Sequence, residues 1–283
     1  MSSKNAYRLL DSGDGLKLES LGGITVVRQS QVSLYPKTNP SLWKNPDAIY
    51  HRSDKGGGEW EFRNKSIPKT WNIEYSKFTF QVKLTPFGHI GLFPEQKENW
   101  EEIIRLGKKF PNANVLNLFA YSGGSTLASL QAGFSVCHVD ASKGMVEWAR
   151  QNCSFNHLDE KPVRWIVDDV MKFVEREKKR GKKYQGFILD PPTYGRGSNG
   201  EIWKIEEELP KLLDVLIELA DGKPDFIFLS GHSNGFTPMV YRRMLQERIT
   251  NSKPEQFQTK ELATLEESGK ELPAGGSCVY FRE

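Results

Sequence analysis

The feature that most constrains the fold is a regular alternation of short apolar runs and helical patterns after about residue 110. The run "NVLNLF" (114–119) precedes a helical pattern at 124–133, and "SVCHVD" (135–140) precedes another at 143–156. The same alternation predicts strands at 163–169, 186–190, 225–231 and 276–283, and helices at 170–181, 207–220 and 237–249. Strands that alternate with helices of this length form βαβ units, so the pattern predicts a parallel sheet covered by helices on both faces.

The first third of the chain has a different pattern. Apolar and polar residues alternate at 23–29, 59–64 and 71–86, which is typical of half-buried strands. The aromatic residues of these strands, such as Phe78 and Phe80, are interpreted as core. Any that face outward beside basic residues would form an RNA-binding face. We therefore predict a smaller β-rich N-terminal subdomain over 1–97, with RNA binding as its candidate role, and an α/β domain over 98–283.

Charge and cysteine content restrict the class of protein. Residues 1–97 carry 14 Lys and Arg against nine Asp and Glu, which suggests a polyanionic partner, although a solvated lysine-rich surface explains the same excess. The three cysteines form no CxxC pair and are odd in number, so neither a disulfide framework nor a metal site is expected. No apolar run approaches the roughly 18 residues of a membrane span, and residues 1–15 lack the apolar core of a secretory signal, so neither feature is expected. A cytoplasmic protein without a membrane partner is expected.

Open α/β sheets bind ligands at the edge where their parallel strands end, and the first two of four motifs follow strands there. "YSGG" (121–124) precedes a helix, and its glycines allow a tight turn and close approach of a ligand to backbone N–H groups. It lacks the third glycine of the dinucleotide fingerprint. Asp140 ends the next strand, where an acid can accept both hydroxyls of an adenosine ribose. A helix N-cap is the alternative role for Asp140.

The third motif is the pair Asp168 and Asp169, at the end of the following strand. If Asp140 binds a ribose, one of the two carboxylates lies where the adenine amino group would be. The other can cap the next helix. Asp169 is favoured as the adenine contact.

The fourth motif is "DPPTYGRG" (190–197). Proline fixes its own φ and biases the preceding residue towards an extended conformation. The carbonyl groups beside Pro191 and Pro192 are therefore expected to be fixed in position and free to accept hydrogen bonds from a planar ligand. Tyr194 can stack on a base. The whole motif would then form the wall of a pocket for a flat substrate, and Asp190 would lie in that wall.

Together with "GLFPEQKENW" (91–100), these motifs resemble the class I S-adenosylmethionine-dependent ribosomal RNA methyltransferases. The group that they resemble most contains the large-subunit cytosine-C5 enzymes and the guanine-N7 half of a bifunctional rRNA enzyme. The resemblance is strong over about residues 85–235. It implies a Rossmann-like domain with a mostly parallel seven-stranded sheet, S-adenosyl-L-methionine as cofactor, and RNA, specifically ribosomal RNA, as partner.

The resemblance also implies roles for individual residues. Those implied to bind the cofactor are Tyr121, Ser122, Gly123 and Gly124 at the methionine part, Asp140 and Ala141 at the ribose, and Asp169 and Val170 at the adenine. Those implied to line the methyl-transfer pocket are Asp190, Pro191, Pro192 and Tyr194. Phe93 and Gln96 would close over the cofactor; the alternative is that Phe93 belongs to the core and Gln96 begins a helix.

One departure from the family pattern concerns the target atom. Cytosine-C5 methylation requires a thiolate that adds to C6, and the C5 enzymes carry that cysteine after the fourth or fifth strand. Here those stretches read "DPPTYGRG" and "LSGHSNG", without a cysteine. Cys137, Cys153 and Cys278 lie inside predicted elements and are interpreted as buried structural residues. A base nitrogen is therefore favoured, with guanine preferred slightly.

Other functions remain as alternatives, because a fold does not fix a function. They are a small-molecule or protein methyltransferase, a non-catalytic RNA-binding module and a nucleotide-binding oxidoreductase. The sequence specifies neither the base, the atom and the RNA position nor the oligomeric state.

Overall fold

The computed structural model describes residues 5–53, 56–197 and 200–283. The chain forms two compact units. Unit 1 consists of Met1–Glu95 and Ala263–Ala274, and unit 2 of Gln96–Leu262 and Gly275–Glu283. The predicted domain bounds, 1–97 and 98–283, place the segment 263–274 in the second domain, whereas this segment belongs to unit 1.

Unit 1 contains a five-stranded sheet and a separate hairpin. The sheet strands, adjacent in chain order, are β1 (Tyr7–Gly13), β2 (Leu16–Leu21), β3 (Ile24–Gln29), β4 (Ala48–Arg52) and β5 (Gly58–Phe62). β3 and β4 pair in parallel, and the other neighbours pair antiparallel. β6 (Trp71–Tyr75) and β7 (Phe78–Val82) form the hairpin. The run predicted as one strand at 71–86 is therefore two strands, separated by a turn in which Ser76 has a φ of 56°.

A buried carboxylate ties the first three strands together. Glu19 of β2 accepts hydrogen bonds from Tyr7 Oη at 2.9 Å, Arg28 Nε at 2.6 Å and Arg28 Nη2 at 2.7 Å. Burial alone would raise the pKa of Glu19, but the charges of Arg28 and Lys17 and the hydrogen bonds outweigh it and hold the pKa at about 2. The ion pair therefore stays charged inside the sheet.

The returning segment 263–274 bonds to β1 within unit 1. Glu266 lies buried and accepts a hydrogen bond from Ser12 Oγ. Glu267 donates its backbone N–H to the Leu9 carbonyl at 2.9 Å. Phe78 and Phe80 are also buried, at 4 % and 0 % exposure, so their interpretation as core residues is confirmed, whereas Phe62 of β5 is 51 % exposed and does not belong to the core.

Unit 2 is built around a seven-stranded sheet. Its helices are α1 (Lys97–Leu106), α2 (Gly124–Gln131), α3 (Lys143–Phe155), α4 (Val170–Lys179), α5 (Ile205–Leu219) and α6 (Pro238–Gln246). The sheet strands are β8 (Asn114–Leu118), β9 (Ser135–Asp140), β10 (Val163–Val167), β11 (Gly186–Leu189), β14 (Phe226–Gly231), β15 (Phe257–Leu265) and β16 (Glu271–Phe281). Residues 263–265 of β15 and 271–274 of β16 belong to unit 1. A small hairpin of β12 (Tyr194–Arg196) and β13 (Ile202–Lys204) precedes α5.

The strand order is β10-β9-β8-β11-β14-β16-β15. The first five strands are parallel, and β16 runs antiparallel to β14. The predicted fold class, a Rossmann-like α/β domain with a mostly parallel seven-stranded sheet and a smaller β-rich part, is confirmed. The sequence pattern did not predict β1, β2, β4, β15 or the β12–β13 hairpin, and β16 begins before its predicted start.

The sheet separates two layers of helices because alternate side chains of a strand point to opposite faces. Leu116 and Leu118 of β8 belong to a core shared with α4, α5 and α6. Asn117 points to the other face, where its Nδ2 donates to Thr126 Oγ1 of α2 at 2.8 Å. Thr126 Oγ1 also lies 2.9 Å from His138 Nδ1. Burial, with a smaller contribution from the charge of Arg150, lowers the pKa of His138 to about 3.

Two further observations bear on the expected partners. In the part of the chain that the structure describes, no helix is both long enough and apolar enough to cross a membrane. Over the same residues, no three His, Cys, Asp or Glu side chains gather in a way that could hold a metal ion.

Candidate functional site

The loop between β8 and α2 is held in an unusual backbone conformation. Phe119, Tyr121 and Gly123 have φ values of 54°, 49° and 90°, which is costly for the two aromatic residues. The Gly123 N–H bonds to the Ala120 carbonyl at 3.0 Å, and the Asn152 side chain donates to the Ser122 carbonyl at 2.8 Å. The fold therefore fixes the shape of this loop at the carboxyl edge of the sheet.

The two glycines of this loop are required by their protein neighbours. A Cβ on Gly124 would lie 2.4 Å from the Trp100 ring of α1, and one on Gly123 would lie 2.9 Å from Ala149 Cβ of α3. Both distances are shorter than van der Waals contact. The glycines thus let α1 and α3 pack closely against the loop. The sequence motif explains these glycines by the approach of a ligand and does not predict this helix packing.

Asp140, at the end of β9, points back to the same loop. It accepts hydrogen bonds from the backbone N–H groups of Tyr121 and Ser142, both at 2.9 Å. Burial raises the pKa of Asp140, and these two hydrogen bonds act in the opposite direction. A carboxylate offers about four acceptor sites, so capacity remains for two donors, the number that a ribose diol supplies. Ala141 follows directly and is exposed.

Asp168 and Asp169 have different environments. Asp169 is the N-cap of α4 and accepts the Lys172 N–H at 2.9 Å, whereas Asp168 forms an ion pair with Arg176. With Asp169 favoured as the adenine contact, the other aspartate, Asp168, is the expected helix cap; that division is wrong, because the cap is Asp169 itself. Capping uses one carboxylate oxygen, so the adenine contact assigned to Asp169 is compatible with it and stays a prediction. Val170 follows as a buried residue of the first turn.

Asp190, directly after the central strand β11, is held by a directed chain of hydrogen bonds. Asn99 Nδ2 donates to Gln96 Oε1 at 2.8 Å, and Gln96 Nε2 donates to both Asp190 Oδ2 and Ser230 Oγ at 3.2 Å. Because Asn99 occupies the Gln96 carbonyl, the Gln96 amide presents its donor to Asp190. These hydrogen bonds therefore favour a hydrogen-bond acceptor, such as a carboxylate, at position 190.

The protonation of Asp190 reflects competing influences. Burial raises its pKa, whereas the charge of His232 and hydrogen bonds from Ser230 and Gln96 lower it. Tyr241 of α6 lies nearby. Its hydroxyl is buried and has no hydrogen-bond partner among the residues that the structure describes, and burial and the charge of Asp190 raise its pKa to about 12. No sequence pattern singles out Tyr241, because the residue lies within an ordinary helical pattern.

The Asp-Pro-Pro loop is fixed by side chains that sequence reasoning did not identify. Trp203 Nε1 of β13 donates to the Pro192 carbonyl at 2.7 Å, and Thr193 Oγ1 lies 2.6 Å from Ser233 Oγ. The expectation that the carbonyls beside the prolines are free for a ligand is therefore wrong at Pro192. Pro191 is buried in the same loop. No local pattern signals Trp203, because its contact depends on the unpredicted β12–β13 hairpin.

Tyr194 remains available to a ligand. It is 50 % exposed at the start of β12, and Arg196 Nε donates to its hydroxyl at 3.0 Å. The ring face is thus presented to solvent while its polar end is anchored.

The structure brings together some, but not all, of the predicted site residues. Within unit 2, one group contains Tyr121 and Asp140, and a second contains Gln96 and Asp190. Gln96 is buried and donates a hydrogen bond to Asp190, so it contacts a residue that is predicted to line the methyl-transfer pocket. Phe93 belongs to unit 1 and contacts the His89 ring, with 5.7 Å between ring centroids. The role of Phe93 over the cofactor stays a prediction.

Comparison with known proteins decides the family. A model of the S-adenosylmethionine-dependent methyltransferase family matches residues 48–222, well over half of the chain. The chain belongs to this family. S-adenosyl-L-methionine is the cofactor of the family, so the predicted family and cofactor are confirmed.

Individual methyltransferases support this membership. Ribosomal RNA large subunit methyltransferase I of Escherichia coli is 38 % identical over 215 residues, which cover 67 % of this chain and 52 % of that protein. Ribosomal RNA large subunit methyltransferase K/L of Shewanella frigidimarina is 26 % identical over 193 residues, covering 66 % of this chain and 26 % of that protein. The chain thus spans about half or less of the length of these curated relatives.

A solved structure matches over the whole chain. The SAM-dependent methyltransferase of Agrobacterium tumefaciens superposes with a TM-score of 0.90 at 32 % identity, covering 100 % of this chain and 92 % of that one. The two-unit architecture therefore recurs within the family.

Proposed function

We propose that this protein methylates a nitrogen atom of a ribosomal RNA base, with S-adenosyl-L-methionine as methyl donor. The observation that carries the proposal is the partly buried carboxylate of Asp190, which begins the Asp-Pro-Pro loop and accepts a hydrogen bond from Gln96. The names of the Escherichia coli and Shewanella frigidimarina relatives support ribosomal RNA as the substrate. An RNA substrate is also consistent with the predicted cytoplasmic location, which stays a prediction.

The cofactor residues follow from the first two strand ends. Asp140 would bind the ribose hydroxyls, Asp169 and Val170 the adenine, and the fixed loop at 121–124 the methionine part. Bound S-adenosyl-L-methionine supplies a methyl group already activated by its sulfonium. The protein therefore contributes mainly orientation and electrostatics.

Asp190 and Tyr194 would hold the base. A carboxylate has about four acceptor sites, and Gln96 and Ser230 use two of those on Asp190, so capacity remains for N–H groups on the edge of a base, which guanine presents as a pair. Tyr194 offers an exposed ring for stacking. A base held in this way must be unpaired, because an enclosed pocket does not reach a base inside a duplex.

The cysteines favour nitrogen over carbon 5 as the target. Cys137, Cys153 and Cys278 are at most 2 % exposed, and they lie within β9, α3 and β16. Burial raises their thiol pKa to about 11, 11 and 12, respectively. A thiol with such a pKa forms almost no thiolate near neutral pH, so none of the three suits addition to C6.

Asp190→Asn tests the role of the carboxylate directly. We expect it to reduce transfer of labelled methyl groups to ribosomal RNA by at least about 100-fold, because the neutral amide no longer pairs with two N–H donors. Binding of S-adenosyl-L-homocysteine, measured by calorimetry, should stay within about twofold. The exposed Asp159→Asn serves as control. Methyl transfer by Asp190→Asn at the parental rate would overturn this role.

Single Cys→Ala variants at the three cysteine positions test the chemistry. We expect all three to keep methyl transfer to ribosomal RNA within a few-fold, because no thiolate takes part. Mass spectrometry of nucleosides from ribosomal RNA of cells with and without the protein should show a missing nitrogen-methylated base. A missing 5-methylcytosine, together with loss of activity in one Cys→Ala variant, would contradict the nitrogen assignment.

A further inference from the structure

Unit 1 contains a cavity that none of the roles assigned above uses. Arg28 and Gln29 at the end of β3, Tyr50 and Arg52 of β4, and Phe87 of the loop after β7 all line it. It lies entirely within unit 1. Its lining combines one exposed aromatic ring, cationic groups and an amide.

Phe87 is the most unusual member of this lining. At 71 % exposure it is more exposed than any other Phe, Tyr or Trp in the described ranges. Its loop is nevertheless rigid. The Thr85 N–H bonds to the His89 carbonyl at 3.1 Å, the Gly88 N–H bonds to the Thr85 carbonyl at 3.0 Å, and Arg28 Nη1 donates to the Gly88 carbonyl at 2.9 Å. The ring is thus held out to solvent by a bonded loop.

Tight packing beneath the loop keeps the ring in this position. A Cβ on Gly88 would lie 2.5 Å from the Tyr50 ring, and the Tyr50 hydroxyl donates to the Pro86 carbonyl at 3.0 Å. A Cβ on Gly57 would lie 3.9 Å from the Phe87 ring, within ordinary contact distance. The pocket is therefore formed before any ligand binds, which reduces the entropic cost of binding.

The polar groups of the cavity complement a nucleotide. The charge of Arg28 is neutralised by Glu19, but Arg52 is exposed and has no ion-pair partner in the described part of the chain. An arginine of this kind binds phosphate oxygens through paired N–H donors. Gln29 is also exposed, and its amide has both donors and an acceptor for the edge of a base.

We propose that this cavity binds one unpaired nucleotide of the RNA substrate. Its base stacks on Phe87 and bonds to Gln29, and Arg52 binds its phosphate. The assignment rests on the proposed function, because it takes RNA as the substrate. It adds to that function a second point of contact, in unit 1, that selects single-stranded RNA.

Binding of a fluorescein-labelled single-stranded RNA 12-mer to the full chain tests the cavity. Loss of one base–aromatic stack in Phe87→Ala should weaken binding roughly 5- to 100-fold, and Phe87→Trp should keep the parental Kd. Arg52→Gln should reduce the slope of log Kd against log salt concentration by about 0.7, the value for one phosphate contact on a single strand. A duplex of the same sequence should bind equally to the parent and Phe87→Ala.

Two matched variants serve as controls. Phe155→Ala removes an aromatic that is 38 % exposed in α3 of unit 2, outside the cavity, and Arg105→Gln removes an arginine that is paired with Glu102. Both should keep the parental Kd and salt slope. Equal weakening in Phe155→Ala and Phe87→Ala would overturn the cavity as the binding site.

Methyl transfer separates failure of this inference from failure of the proposed function. If the parent methylates ribosomal RNA, but Phe87→Ala and Arg52→Gln bind the 12-mer as the parent does, the cavity assignment is wrong and the proposed function stands. If the parent transfers no methyl group to any RNA but binds S-adenosyl-L-homocysteine, the proposed function fails, and the cavity assignment fails with it.

Discussion

At the residue scale, the chemistry of the candidate site depends on the ionisation of Asp190. Burial favours the protonated form, and donors from Gln96 and Ser230 favour the carboxylate. Asn99 adds indirectly to this balance, because it fixes which end of the Gln96 amide faces Asp190. Burial outweighs the donors, so the pKa of Asp190 is raised, and Gln96 and Ser230 limit that rise.

Gln96→Leu should shift the pH dependence of methyl transfer. If the carboxylate is the active form, activity falls as the pH drops through the pKa of Asp190. Removal of the Gln96 donor raises that pKa further, so the loss should begin at a higher pH than in the parent. A pH profile of kcat/KM measures the shift. The exposed Gln151→Leu should leave the profile unchanged, and superimposable profiles for Gln96→Leu and the parent would exclude this role for Gln96.

At the element scale, the close approach of helices sets the shape of the cofactor loop. Trp100 of α1 and Ala149 of α3 occupy the space that side chains on Gly124 and Gly123 would need. The loop therefore keeps its strained backbone between two packed helices. Helix packing is therefore one reason for glycine at both positions, beside the cofactor contact proposed for this loop.

Gly124→Ala should destabilise the protein by about 1–3 kcal/mol, because the new Cβ would overlap the Trp100 ring. Gly144→Ala in α3 is the matched control, since its Cβ would meet only Ser142 Oγ, at 3.9 Å. That substitution should be neutral or stabilise by up to about 1 kcal/mol, by restricting the unfolded chain. Urea denaturation measures both free energies of unfolding. Equal stability of the two variants would contradict the packing explanation.

At the scale of the whole molecule, sequence periodicity predicts those strands and helices that can be recognised within a short stretch of the chain. The parallel strands β8 to β11 and helices α2 to α4 were predicted within a few residues, because each has its own apolar period and a turn signal. The contacts that form the site were not predicted. Gln96 and Asp190 are 94 positions apart, and Trp203 reaches Pro192 only through the hairpin.

The buried His138 should make stability depend on pH across the whole fold. Its pKa is about 3 in the folded protein and about 6.5 when unfolded. Between these values the unfolded state binds more protons, so stability falls as the pH falls. From pH 6.5 to 5, this histidine should account for a loss of about 1–2 kcal/mol. Urea denaturation of the parent and His138→Gln at both pH values should show the difference, and equal pH dependence would contradict it.

The return of the segment 263–274 to unit 1 has a consequence for synthesis on the ribosome. β1 contains Leu9 and Ser12, yet their partners are Glu267 and Glu266, more than 250 residues later. Closing so long a loop costs conformational entropy, and it must wait until the segment 263–274 has been translated. Unit 1 can therefore be completed only after residues 96–262 of unit 2 have been translated, although its own five-stranded sheet needs no later strand.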